Sequence, residues 1–196
     1  MDARLVGWAR AVKVRRQSHG ACVPVLWLFT DARRLPDPVS AIRRLPRGLA
    51  GVVLRDDDLP ERPALARRIA AACRQRRLAL AVAGDWRLAA QLHAGLHLRA
   101  GRVPHGAPRR LPRLTSSAHG TADLIRARRA GVALAFLSPV FATGSHPGAT
   151  PLGPVRWGLA ARRGGGAAAL GGVRAAALRR LPRGACRGAG AIGALS

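Results

Sequence analysis

Residues 51–85 read GVVLRDDDLPERPALARRIAAACRQRRLALAVAGD, and this stretch decides the fold. It opens on a short apolar run, Gly51 to Leu54, and closes on another, Leu78 to Ala83. Short apolar runs without polar alternation are the pattern of strands covered on both faces, as in parallel sheets. The segment between them, Leu59 to Arg77, puts Leu65, Ile69 and Ala72 on one helical face and Arg67, Arg68 and Arg74 elsewhere. Strand, amphipathic helix, strand is the repeating unit of an α/β fold.

The rhythm continues in both directions. Further strands are expected at Val23 to Thr30, Gly95 to Leu98, Arg113 to Ser117, Val132 to Leu137, Ala167 to Leu170 and Gly188 to Ile192. Eight parallel strands close into a (β/α)8 TIM barrel. Thr121 to Ala130 reads as a second outer helix, with Asp123 near its positive end. The runs at Ala167 and Gly188 are so rich in Ala and Gly that only their position in the rhythm assigns them. Arg99 to Pro112, dense in Gly, Pro and Arg, reads as an irregular connection. Met1 to Arg16 reads as an amphipathic helix with Leu5, Trp8, Ala9 and Val12 on one side, capping the barrel or packing on its side. The expected organisation is therefore a basic N-terminal extension, residues 1–20, followed by one barrel domain, residues 21–196.

Size agrees, since 196 residues with 48% hydrophobic content suffice for one sizeable core. No run of 18 apolar residues is present, and the first residues alternate basic and apolar positions without a signal-peptide core. The expectation is a cytoplasmic protein with no membrane partner. Cys22, Cys73 and Cys186 are too scattered for a metal site and read as small buried hydrophobes. The net charge of +25 suggests a nucleic-acid surface. Against that, Arg occurs in every segment, only Lys13 is lysine, and stacking aromatics are scarce, with no Tyr, three Phe and four Trp. No specific nucleic-acid partner is expected, and a basic nucleic-acid-associated protein stands as the alternative of another class.

Ligands of parallel barrels bind at the C-terminal ends of the strands. The residues closing each run are Thr30-Asp31, Arg55, Asp85, His97, Ser117-Ala118-His119, Ser138-Pro139 leading to Thr143-Gly144-Ser145-His146, Gly171-Gly172 and Gly190 to Gly193. Glycines after the last two strands let backbone N–H groups approach a phosphate.

In order, the fragments LFTD, VVLRDD, AGD, GLHL, TSSAH, SPVFATGSHPGATPLG, ALGGV and GAGAIGAL make the chain from about Leu26 to Ser196 resemble the thiamine phosphate synthase/TenI family. The most specific piece is Pro139 to Ser145, similar to the family's PVFPTxT loop. The resemblance implies a synthase-type transferase that couples hydroxymethylpyrimidine diphosphate to thiazole phosphate and releases diphosphate, in thiamine biosynthesis. It also implies phosphate binding by Gly171, Gly172 and Gly193, substrate contacts from Ser117, Thr143, Ser145 and His146, and catalytic roles for Arg55 and His119. In TenI proteins a histidine matching His119 is the acid/base of thiazole tautomerisation, and imidazole suits proton transfer near neutral pH. A TenI-like tautomerase, or a non-catalytic binder of thiazole or thiamine phosphate, is the alternative within the scaffold.

The diphosphate half departs from the family pattern. In the family's QLRxK segment Arg55 matches, but Val53 replaces Gln and Asp57 replaces Lys; His146 stands for the lysine of TxTK. Asp85 matches the first of two Mg2+ aspartates, preceded by Gly84 rather than Asn. No carboxylate occurs in Arg99 to Val103, where the second is expected. Mg2+ is thus held weakly by Asp85 or lost, with Arg99 or Arg102 available as substitutes for its charge. The family's last helix also has no counterpart before Leu195-Ser196, so the expected barrel lacks that helix. The oligomeric state stays open.

Overall fold

The computed structural model describes residues 2–17, 23–56, 59–144, 148 and 150–195. Eight parallel strands close into one barrel in chain order: β1 (Leu26–Phe29), β2 (Ala50–Leu54), β3 (Ala79–Ala83), β4 (Gly95–Leu98), β5 (Arg113–Ala118), β6 (Leu134–Leu137), β7 (Ala167–Ala169) and β8 (Cys186–Ala191). Closure is complete because β1 pairs with both β2 and β8. Helices α2 (Pro38–Arg44), α3 (Arg62–Arg76), α4 (Trp86–Gln91), α5 (Thr121–Arg129), α6 (Gly153–Arg163) and α7 (Ala175–Leu178) follow β1, β2, β3, β5, β6 and β7, and α1 (Ala3–Gln17) precedes the barrel. The fold is a (β/α)8 TIM barrel of the α/β class.

Aromatic rings fill the barrel axis. Phe29 meets Phe136 edge to face at 4.9 Å and His97 at 5.7 Å, while Trp27 meets Phe136 at 6.3 Å. These rings dictate glycines in the strands that pair with β1. A Cβ on Gly51 would stand 2.8 Å from the Trp27 ring, and one on Gly190 2.6 Å from the Phe29 ring. Gly190 of β8 is therefore the complement of a bulky neighbour, which lets that strand pack despite its poor strand propensity.

Helix α1 is part of this core. Leu5, Ala9 and Val12 form a buried stripe at helical spacing, and the helix packs on β8 and α7. The buried Arg16 guanidinium donates to Arg187 O at 3.0 Å, and Lys13 Nζ donates to Gly48 O at 2.9 Å. Residues 99–112 hold no helix and only an isolated bridge between Arg99 and Arg102. No helix among the described residues is long and apolar enough to cross a membrane.

Candidate functional site

The polar strand ends gather at one rim and divide into two halves. Strands β5, β6 and β7 build the first. His119 follows β5, and its ring Nδ1 lies 3.2 Å from Ser138 O. A carbonyl oxygen only accepts, so Nδ1 carries the proton and Nε2 is the basic nitrogen of the neutral ring. The His119 backbone N–H donates to Asp123 Oδ2 at 2.9 Å, which anchors the turn into α5. Burial pushes the Asp123 carboxyl up, but the His119 N–H and the Arg126 guanidinium, 2.7 Å away, outweigh it and hold the group below the usual carboxylate range.

Ser138 begins the next loop through a cis bond to Pro139. That loop is stitched to the end of β7: Val140 N–H donates to Leu170 O at 2.9 Å and Phe141 N–H to Gly171 O at 3.2 Å. Gly171 and Gly172 both have positive φ, +88° and +62°. A Cβ on Gly172 would lie 2.3 Å from Ala142 O, so the loop over β7 requires glycine there. One hydrogen-bonded run thus joins His119, the 138–144 loop that carries half-buried Thr143, and the Gly171-Gly172 turn. Gly193 stands in the turn after β8, with open space where a Cβ would be. Ser145 and His146 lie outside the described residues.

Strands β1 to β4 build the second half from side chains. Thr30 is buried; its hydroxyl donates to Asp56 Oδ2 and accepts from Arg55 N–H at 3.0 Å. The other Asp56 oxygen accepts from Ala32 N–H at 2.7 Å. Arg55 Nη2 pairs with Asp31 Oδ2 at 3.1 Å. At the end of β3, Asp85 Oδ1 caps α4 by accepting from Leu88 N–H at 2.9 Å, and Oδ2 lies 3.6 Å from Arg62 Nη1. Arg62 also donates to Ala83 O at 2.8 Å. His97, at the end of β4, is buried with Nδ1 2.8 Å from Thr115 Oγ1. Burial, with Arg55 and Arg99 adding to it, pushes its imidazole down to about 3, so it is a neutral core ring. Ser117 Oγ accepts from Ala100 N–H at 3.1 Å and holds the turn after β4, a positioning duty beside the substrate contact expected of it.

Magnesium needs a set of oxygen ligands, carboxylates among them. Asp85 spends one oxygen on a helix cap and turns the other to a guanidinium. No group of three or more His, Cys, Asp or Glu residues suited to a metal stands together among the described residues. The described residues around Asp85 do not fit the ion.

Two participants escaped sequence reasoning. Asp56 directly follows Arg55, and its place after β2, beside the end of β1, could have flagged it. Arg62 lies in the first turn of α3, and nothing in the sequence says that it reaches the end of β3.

No curated protein matches the chain in sequence. Among solved structures it is similar to the thiamine phosphate pyrophosphorylase of Pyrococcus furiosus, with TM-score 0.67 and 18% identity over 86% of this chain and 85% of that one. It is also similar to the thiamine phosphate pyrophosphorylase of Bacteroides thetaiotaomicron, with TM-score 0.56 and 16% identity over 88% of this chain and 84% of that one. At such identities these likenesses speak for the barrel alone. The model of the thiamine monophosphate synthase family matches residues 28–195, nearly the whole barrel, and the chain belongs to that family.

Proposed function

We propose that the chain binds thiazole phosphate at the β5–β8 side of the rim and couples it to hydroxymethylpyrimidine diphosphate, releasing diphosphate. The observation that carries this reading is the continuous hydrogen-bonded run from His119 through Ser138 and Phe141 to Gly171. It unites the three segments whose fragments resemble the synthase family, at the end of the barrel where ligands bind. The N–H groups of Gly171, Gly172 and Gly193 serve the phosphate, Thr143 the neighbouring anion, and Arg55 the incoming diphosphate.

A second reading is supported by His119. Its Nδ1 is committed to a carbonyl, which leaves Nε2 to take and return a proton, the requirement of a thiazole tautomerase. The nucleic-acid alternative has less support: exposed arginines such as Arg10, Arg43, Arg67, Arg128 and Arg162 stand on helices all round the barrel, not on one face.

Calorimetry with thiazole phosphate tests the binding half, with micromolar-scale affinity expected, corresponding to about −8 kcal/mol. A coupling assay with both substrates tests turnover. Asp57→Lys with His146→Lys should raise its rate. A dead coupling reaction in both proteins, with thiazole phosphate still bound and tautomerised, would select the second reading. Failure of thiazole phosphate to bind would refute both.

A further inference from the structure

At the ends of β3 and β4 a cleft of about 390 Å³ is lined by Arg62, Gly84, Asp85, Arg99, Arg102 and Val103, with Ala83 and Pro104 closing it. Three of these side chains are guanidinium cations and one is a carboxylate, so the lining carries a formal excess of two positive charges. The carboxylate is already engaged by the Leu88 N–H and by Arg62. A dication entering here meets like charge; an anion meets the opposite.

The backbone presents the arginines together. Arg99 and Arg102 face each other across an antiparallel bridge, closed by Arg102 N–H donating to Arg99 O at 2.9 Å. The Arg99 guanidinium lies over Gly84: a Cβ there would stand 3.3 Å from both Nε and Nη2. Gly84 has φ +69° and is fixed by its N–H donating to His97 O at 3.1 Å. Arg62 reaches the same turn from α3, donating to Ala83 O. A separate sign of this field is found inside the barrel, where Arg99 and Arg55 add to burial in keeping the His97 ring neutral.

We infer that this chain binds diphosphate without a divalent metal, in the cleft where Arg99 and Arg102 supply the positive charge and Arg62 holds Asp85 in its helix-capping position. Guanidinium forks match phosphate oxygens in pairs, and two of them provide the charge that one Mg2+ would. The inference deepens the proposed coupling reaction, whose leaving group is diphosphate, but its test uses inorganic diphosphate and does not involve the thiazole half. Failure here therefore leaves thiazole phosphate binding untouched, and failure there leaves this site standing.

The experiment is calorimetric titration of the full-length chain with sodium diphosphate in EDTA, repeated with Mg2+. Saturable binding in chelator is expected, no tighter when Mg2+ is present. Arg99→Ala and Arg102→Ala should each weaken it about tenfold or more, as loss of a charge-assisted contact does. Arg99→Lys keeps the charge without the fork; it should bind more weakly than the parent and serves where Arg99→Ala fails to fold. Arg162→Ala, on the outer face of α6, should bind as the parent does. Binding that appears only with Mg2+ would overturn the inference. So would an equal loss in Arg162→Ala, or displacement of diphosphate by a single-stranded oligonucleotide at equal phosphate concentration, since either would mark a diffuse polyanion surface.

Discussion

The two halves of the rim are held by different chemistry. From β5 to β7 the connections run through the backbone: the Ser138 carbonyl accepts from the His119 ring, Val140 N–H donates to Leu170 O and Phe141 N–H to Gly171 O. From β1 to β4 they are side-chain pairs: Thr30 with Asp56, Arg55 with Asp31, Asp85 with Arg62. Backbone groups survive almost any substitution except one that blocks the path of the chain, whereas side-chain pairs change with every charge replaced. Where the backbone builds the site, the family's fragments are still readable. Where side chains build it, Val53 and Asp57 stand for the Gln and Lys of QLRxK, and no carboxylate stands in Arg99 to Val103, where the resemblance expects the second one.

The largest effect that separates the halves is expected at Gly172. With φ +62° and a Cβ contact of 2.3 Å to Ala142 O, Gly172→Ala combines left-handed strain with a collision against backbone. Together these cost roughly 3 to 5 kcal/mol. Denaturant unfolding should register this loss, and thiazole phosphate binding should vanish with the displaced loop. Gly193→Ala is the control: nothing lies within 4 Å of its Cβ position, so stability should hold. A stable, binding-competent Gly172→Ala would mean that the backbone half is not the rigid one.

A smaller effect is expected from His97, which lies beneath the side-chain half. In the unfolded chain the ring takes a proton near its ordinary value of 6.5, while in the folded chain it refuses one until about 3. Between those values the unfolded chain binds more protons, so stability falls as pH drops, at up to about 1.4 kcal/mol per pH unit. Two units of acidification within the window thus remove roughly 2.5 kcal/mol. His97→Gln should flatten the slope of unfolding free energy between pH 6 and pH 4 while lowering stability near pH 7, where the Thr115 contact is disturbed. An unchanged slope would show that His97 is not the group responsible.

The barrel was legible because parallel strands covered on both faces leave short apolar runs, and β2, β3 and β4 carry them plainly: AGVVL, ALAVA, GLHL. β7 and β8, AAA and CRGAGA, were legible only by position, since Ala and Gly carry little strand propensity and Gly190 is matched to the Phe29 and Phe136 rings only in the folded barrel. The irregular stretch after β4 was readable from its Gly and Pro. Helices α2, α4, α6 and α7 were not read at all: three are of seven residues or fewer, too short to show periodicity, and α6 starts among glycines and prolines. In the site, positions at strand ends were legible and partnerships were not. Asp85 reads as a magnesium aspartate, and neither its cap on α4 nor the approach of Arg62 from α3 is legible in the sequence. Ser117 reads as a ligand contact, and its second duty, accepting from Ala100 N–H in the turn after β4, is not legible in the sequence.

The smallest effect on stability, and the one that sharpens the comparison most, is expected at Asp31. Its Oδ2 pairs with Arg55 Nη2 at 3.1 Å, and the two side chains are 16% and 38% exposed. Such a partly exposed pair contributes little, about 0.5 kcal/mol once solvent screening is allowed for. Asp31→Asn keeps an oxygen for the Arg33 and Arg34 N–H groups that Oδ1 now accepts at 3.2 Å, so the turn after β1 should persist. What changes is the charge facing Arg55. Freed from a carboxylate, its guanidinium should hold diphosphate more tightly, by roughly two- to fivefold, with the unfolding free energy shifted by no more than about 0.5 kcal/mol. A loss of stability above about 2 kcal/mol would make the pair a structural element. An unaltered diphosphate affinity would separate Arg55 from the ligand and confine the side-chain half to the arginines of β3 and β4.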